Sequence, residues 1–254
     1  MSVIRPGYWD PWDLRDELYA WWNADDYGSS LMTDDGLGRI SSWKDRKYRI
    51  NLTAATTARP TYGATAFNGA KKALAFDGTA NTLATTDLSL IPTADVPCEV
   101  WALFDFTAPF GTAQARNLFS WGGLSGATRR LMNLQNTTAP LFNVGNGATN
   151  TINYAGTAPD LYGKFAKIIG ARWSGTVQNA RYDGRPSLVG DTTVASLATG
   201  TSRFRLGSNN ANTAGNFFYG PIRQFLITKI LSASNRLRME GWLAWDGGVQ
   251  AVLP

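Results

Sequence analysis

Two apolar, aromatic-rich runs near the end of the chain, residues 204–208 and 217–228, flank a polar segment holding Asn209, Asn210, Asn212, Gly215 and Asn216. Residues of the second kind adopt turns and positive φ readily, so the pattern predicts two strands joined by a loop. Within residues 222–230 both alternating sets are apolar, Phe225 and Ile227 on one, Ile222 and Leu226 on the other. A strand covered on both faces belongs in the middle of a layered fold.

The same reading extends upstream. Residues 18–23 alternate Leu18, Ala20 and Trp22 against Tyr19, Trp21 and Asn23, and predict a first strand. Asp34, Asp35, Gly36 and Gly38 mark a turn before a short strand at 40–43. Further strands are predicted at 67–76, 100–106, 117–121, 131–134, 141–144 and 167–173, with Asp183-Gly184 as a hairpin turn. Strands recurring every 8–14 residues or so, with turn residues between, predict two packed antiparallel sheets. The end, 232–245, reads as a helix capped by Ser232 or Ser234, with Leu237, Gly241 and Ala244 or Trp245 on one face. At the start, Asp10, Pro11 and Asp13 are placed to cap a brief helical turn inside an N-terminal arm, 1–17, ahead of one domain, 18–254.

Several short pieces recur in a fixed order: residues 19–25, 42–45, 58–62, 73–78, 183–184, 206–208, 218–222 and 238–244. Together they resemble the concanavalin A-like, laminin-G-type jelly roll, in the form found in bacteriophage virion proteins. The resemblance implies an all-β, two-layer antiparallel jelly-roll sandwich with a short C-terminal helix. It departs from that family at Arg46-Lys47-Tyr48, where a Ser-Gly-Asn turn is usual, and at Trp245-Asp246-Gly247-Gly248.

Composition narrows the function. A chain of 254 residues can form one large all-β domain. The net charge of +5 comes from scattered basic residues, which does not call for nucleic acid. Cys98 is the only cysteine, so an intrachain disulfide is impossible, and its strand-like surroundings read as a small buried hydrophobe. With no signal-like apolar start and no long apolar run, the expectation is a protein made in the host cytoplasm, with no membrane partner. Histidine is absent, which excludes Ser-His-Asp, Cys-His and His-bearing zinc sites. The glutamates are Glu17, Glu99 and Glu240, and none belongs to the paired-carboxylate run of the β-glucanase branch of this fold. A hydrolase is thereby the third reading, and no catalytic residue, metal or cofactor is assigned. Asp77, Asp87 and Asp95 come singly, which suits structural turns better than a calcium cage.

Two groups are candidates for partner contacts. Tyr8, Trp9 and Trp12 on the arm either staple it to its own sandwich or dock onto a neighbouring subunit. Lys44, Arg46, Lys47 and Arg49 form either a solvated loop or a contact with an acidic surface. Candidates for sugar contact are Arg129, Arg130, Asn133, Asn136, Asn209 and Asn210. The resemblance implies a non-enzymatic virion protein, a capsid decoration or head-spike component. Its partner would be the major capsid protein or another virion protein, with a homotrimer at local threefold axes expected. The alternative is a glycan-binding module that contacts a host-surface glycan.

Overall fold

The computed structural model describes the chain apart from residues 1–8, 65–66, 68–70, 95, 107–114, 124–128, 137–139, 146–150, 156–166, 175–176, 184, 187–191, 194–201, 210–213 and 249–254. The strands open with β1 (Leu18–Asn23), β2 (Met32–Asp34), β3 (Ile40–Lys44), β4 (Asn51–Thr53), β5 (Thr61–Ala64) and β6 (Ala73–Asp77). Next come β7 (Leu83–Thr85), β8 (Cys98–Phe104), β9 (Ala115–Gly122), β10 (Arg129–Asn136), β11 (Pro140–Gly145) and β12 (Thr151–Ala155). The last are β13 (Lys167–Ser174), β14 (Val177–Tyr182), β15 (Arg185–Pro186), β16 (Thr192–Thr193), β17 (Arg203–Leu206) and β18 (Tyr219–Thr228). One helix, α1 (Ala233–Gly247), closes the described chain.

They form two antiparallel sheets of nine strands each among the described residues. The first runs β15-β14-β13-β8-β18-β6-β5, with β1 on β18 and β16 on β14. The second runs β12-β11-β10-β9-β17-β7-β4-β3-β2. This is a two-layer jelly-roll sandwich with a C-terminal helix, as the pattern of strands predicts.

The inner faces enclose Trp22, Trp43, Phe76, Phe104, Phe119, Trp121, Trp173, Phe204 and Phe225, so rings fill most of the space between the layers. Offset and edge-on ring pairs set their packing, for example Phe119 against Phe225 at 5.3 Å. A second cluster lies on the outer face of the first sheet, where Trp21, Trp101, Leu103 and Leu226 meet Leu14, Met239, Leu243 and Ala244. Every residue of β8 is buried because alternate side chains enter the two clusters in turn. Gly170 on β13 lets the Trp101 ring lie flat there, since a Cβ at that position would fall 2.7 Å from the ring.

Strand β18 is covered on both faces, as expected, but its faces differ from the simple alternation. The pairing with β8 shifts register between Ile222 and Gln224. That bulge turns Ile222 to the inner side with Phe225 and Ile227, leaving Leu226 on the outer side. The helix face also corrects the expectation. Leu237 is 64% exposed and Trp245 57% exposed, while Met239, Glu240, Leu243, Ala244 and Asp246 face the sheet. Ser232 caps the helix by accepting from the Asn235 N–H at 3.2 Å, and Gly248 ends it with φ +67. The predicted strand over 67–76 is confined to β6 in the described residues, and that over 100–106 begins two residues earlier, at Cys98. Asp10 and Asp13 form a capping box on a 3-10 turn, Pro11–Glu17, with Pro11 in its first turn.

Candidate functional site

The arm and the basic loop lie together. Trp9 packs against the outer cluster, and Trp12 meets Trp21 edge-on at 5.6 Å. Lys47 donates from Nζ to the Arg15 and Leu18 carbonyls, tying the loop to the arm. Arg46 pairs with Asp26 at 2.9 Å and lies 4.4 Å above the Trp21 ring. Lys44 is half-buried on β3, and Arg49 is exposed. Tyr8 and Asn210 lie outside the described residues.

The sugar-contact candidates separate. Arg130, read from the sequence as a surface donor, is 0% exposed between the sheets, over the Trp121 and Trp173 rings. Its guanidinium donates to the carbonyls of Ala94 and Val96 and to Cys98 Sγ. Arg129 stands opposite Gly122 in the β9–β10 pairing, Asn133 opposite Asn117, and Asn136 opposite Pro140 on β11. Asn209 closes its own loop, its Oδ1 accepting from Gly215 N–H at 3.0 Å. Asp77 organises a turn, its Oδ1 accepting from the backbone N–H groups of Thr79, Ala80 and Asn81. Among the described residues, no cluster of three or more His, Cys, Asp or Glu side chains is placed to hold a metal ion.

The group with the geometry of a recognition site was not singled out in the sequence. A 3-10 turn, Ala24–Asp26, capped by Asn23 Oδ1 on the Asp25 N–H, delivers Tyr27 to the surface beside β5. Tyr27 stacks on Tyr62 with ring centroids 3.9 Å apart and planes 10° from parallel. One face of Tyr27 is thus covered, yet the residue remains 39% exposed. Its hydroxyl donates to Asp34 Oδ2 at 2.7 Å, which fixes the ring's rotation. Tyr62 is held by its own N–H donating to the Gly38 carbonyl at 2.8 Å, beyond the turn where Gly36 and Gly38 take φ of +81 and +75.

Polar groups ring this ledge. Asp35 accepts from Arg39 Nε at 2.6 Å and from Arg59 Nη1 at 3.4 Å. Lys72 Nζ lies 5.8 Å from the Tyr62 centroid. The bond from Tyr27 holds the Asp34 carboxyl below its ordinary range and raises the Tyr27 hydroxyl. Partial desolvation pushes Asp35 upward, but the Leu37 and Arg39 donors outweigh it and hold Asp35 low as well. Both carboxyls are therefore acceptors at neutral pH, beside cationic donors and an aromatic plane.

Beneath the ledge lies an ionic network that fixes its height. Arg223 is fully buried and donates to Asp246 from Nε at 2.7 Å and to the half-exposed Asp25 from Nη2 at 2.7 Å. Asp246 also accepts from Lys71 at 2.6 Å and from Gln224 at 2.8 Å, and Gln224 accepts from Trp21 Nε1 at 2.8 Å. Asp25 thereby ties the turn that carries Tyr27 to the centre of the first sheet.

Comparisons with known proteins place the fold. No family model matches the chain, and no curated protein matches it. Solved structures do. A GH54 α-L-arabinofuranosidase aligns at TM-score 0.61 and 14% identity, over 90% of this chain and 53% of that one. A Trypanosoma rangeli sialidase aligns at TM-score 0.59 and 13% identity, over 91% of this chain and 33% of that one. Domain 4 of AbnA, a GH43 extracellular arabinanase from Geobacillus stearothermophilus solved with arabinotriose, aligns at TM-score 0.53 and 13% identity. There the overlap is 88% of this chain and 98% of that one. The chain spans about half the length of the arabinofuranosidase and a third of the sialidase. At these identities the likeness is one of fold: the chain is a β-sandwich domain of a type that occurs in sugar-active proteins.

Proposed function

We propose that this chain is a non-catalytic carbohydrate-binding module and that the Tyr27–Tyr62 ledge is its sugar-contacting surface. The observation that carries the reading is a half-exposed ring stacked on a second ring and rimmed by fixed carboxylates and guanidinium groups. A sugar presents apolar C–H faces and a girdle of hydroxyls, which this combination of flat apolar surface and oriented polar groups complements. The fold likeness to glycosidases and to an arabinanase domain solved with arabinotriose supports the reading without fixing the sugar.

A binding role fits the carboxyls better than a hydrolytic one. A general acid must stay protonated near neutral pH and must reach the glycosidic oxygen. Burial raises the carboxyls of Asp26, Asp45 and Glu99, but each is enclosed by its own partners: Arg46 for Asp26, backbone N–H groups for Asp45, Arg236 for Glu99. The exposed acids of the ledge are held low instead. The capsid-decoration reading rests on the family resemblance alone and gains no support from the comparisons.

Titration calorimetry with arabino- and xylo-oligosaccharides tests the proposal. Tyr27→Ala should weaken binding at least tenfold with the melting temperature kept, because the ring lies on the surface. Wild-type protein that binds none of a broad glycan panel, or a Tyr27→Ala variant that binds as well as wild type, would sink it.

A further inference from the structure

Among the described residues, the cations at the Tyr27–Tyr62 ledge outnumber its carboxylates. Asp35 is shared by Arg39 at 2.6 Å and Arg59 at 3.4 Å, and Asp34 beside it supplies a second negative charge. In the network beneath, Arg223 and Lys71 are matched by Asp25 and Asp246. Asp34, Asp35 and Asp246 are all held below the ordinary carboxyl range, so their charges are in place at neutral pH. Lys72 is left over. It is exposed, and among the described residues no carboxylate forms an ion pair with its ammonium.

The place of Lys72 is built rather than incidental. Its carbonyl accepts from Arg223 Nη1 at 2.8 Å, so the buried guanidinium that holds Asp25 also fixes the backbone at residue 72. The next residue, Ala73, is buried at the start of β6. From this anchor the Lys72 ammonium reaches to 5.8 Å from the Tyr62 centroid, within the range at which a ring attracts a cation. Tyr62 is stacked on Tyr27 at 3.9 Å, so the ammonium lies within a disaccharide's length of the exposed ring. An ammonium brings three donors and no acceptor, and this one has no anion of its own.

We propose that the ledge takes a sugar bearing a carboxylate, a uronic acid, and that Lys72 is the residue that selects for it; this rests on the reading of the ledge as a sugar-contacting surface. A sugar ring laid on Tyr27 satisfies the apolar plane, and its carboxylate supplies the missing negative charge at Lys72. Asp34 and Asp35 do not cancel that attraction, because each is already engaged by donors of the ledge, Tyr27 for Asp34 and Arg39 and Arg59 for Asp35. A neutral sugar stacks equally well but leaves the ammonium to water, and an amino sugar is repelled. A nucleic acid also brings rings and anions, but it needs several cations placed along its phosphates, and here one is left over.

The test is calorimetry on the whole protein with oligogalacturonides and with xylo-oligosaccharides branched by glucuronic acid, each beside its methyl ester. The ester keeps the shape of the sugar and removes only its charge. Wild type should bind the acid about fivefold more tightly than the ester, the upper reach of one exposed ion pair, and the gap should narrow at high salt. Lys72→Gln should bring acid and ester to the same affinity, and Lys72→Arg should restore the preference. Equal binding of acid and ester by wild type overturns the proposal, as does a preference that survives in Lys72→Gln. So does displacement of the acid sugar by a single-stranded oligonucleotide at matching concentration, which would make the ledge a nucleic-acid surface. If wild type binds acid and ester alike and Tyr27→Ala loses both, the ledge reading stands and selection by charge falls alone. If Tyr27→Ala binds both as wild type does, the ledge reading falls and takes this one with it.

Discussion

Arg130 and Cys98 meet inside the sandwich as a buried cation and a buried thiol, with no carboxylate bonded to either among the described residues. Burial pushes the Cys98 thiol up from 9.0 to about 11, and the Arg130 charge beside it pulls back only part of that rise. The folded chain therefore keeps this proton over a range in which the unfolded chain has released it. The resulting stability is fully present below pH 9 and is lost as pH climbs through about 11. At about 1.4 kcal/mol per pH unit, the loss amounts to roughly 2–3 kcal/mol. Urea titrations at pH 8 and pH 10.5 should give a steeper alkaline decline for wild type than for Cys98→Ala; parallel declines would count against it. The enclosure of Arg130 was in fact legible. Alternation puts Arg130 on the same face as Met132, and Met132 is core. Treating Arg129-Arg130 as one charged unit hid that alternation, because a guanidinium is expected at the surface unless its donors find buried carbonyls, as these do.

At the scale of elements, α1 shows how charge can disguise an amphipathic pattern. Its sheet-facing side carries Glu240 and Asp246 among Met239, Leu243 and Ala244, with Glu240 paired to Arg181 and Asp246 to Arg223. Two acids on the buried side and Leu237 and Trp245 on the open side shift the apparent apolar face away from the true one. The helix itself, its Ser232 cap and most of the strands were readable, since those depend on local spacing and turn chemistry. The bulge in β18 was not, because it is set by the partner strand. Asp246 matters most to this element. Burial alone would raise its carboxyl, but Arg223, Lys71 and Gln224 together hold it below the ordinary value of 3.8. Its contribution is accordingly present above about pH 4 and is lost as pH falls through the lowered value. Among the described residues, Asp246→Asn would leave the buried Arg223 with only the half-exposed Asp25 as counter-ion. Removing one partner of a buried pair costs on the order of 3–5 kcal/mol. The variant should lose about that much in denaturant at pH 7, and its acid limb should be flatter than that of wild type. A variant of unchanged stability would mean that solvent reaches Arg223.

For the molecule as a whole, the sandwich could be read from the sequence and the ledge could not. Tyr27 and Tyr62 are distant in sequence and come from a turn and from β5, so no local spacing or turn signal pairs them. The arm poses the same problem in a form that can be decided. Sequence allows it to staple its own domain or to dock onto a neighbour, and the two readings predict opposite results for a chain that begins at Leu18. In the structure Leu14 is buried in the outer cluster, Trp12 packs edge-on against Trp21, and Lys47 is bonded to the Arg15 carbonyl. Burying one leucine contributes about 1.5–3 kcal/mol, and an aromatic pair about 0.5–1.5 kcal/mol more. Shortening the chain to Leu18 should therefore lower unfolding free energy by about 3 kcal/mol and leave the Trp21 ring open to water, readable as a red shift in tryptophan emission. If the shortened chain is as stable as the full one, the arm is free to serve a neighbour. A measured loss of the expected size makes residues 9–17 part of the domain, and moves its N-terminal boundary upstream of the first strand.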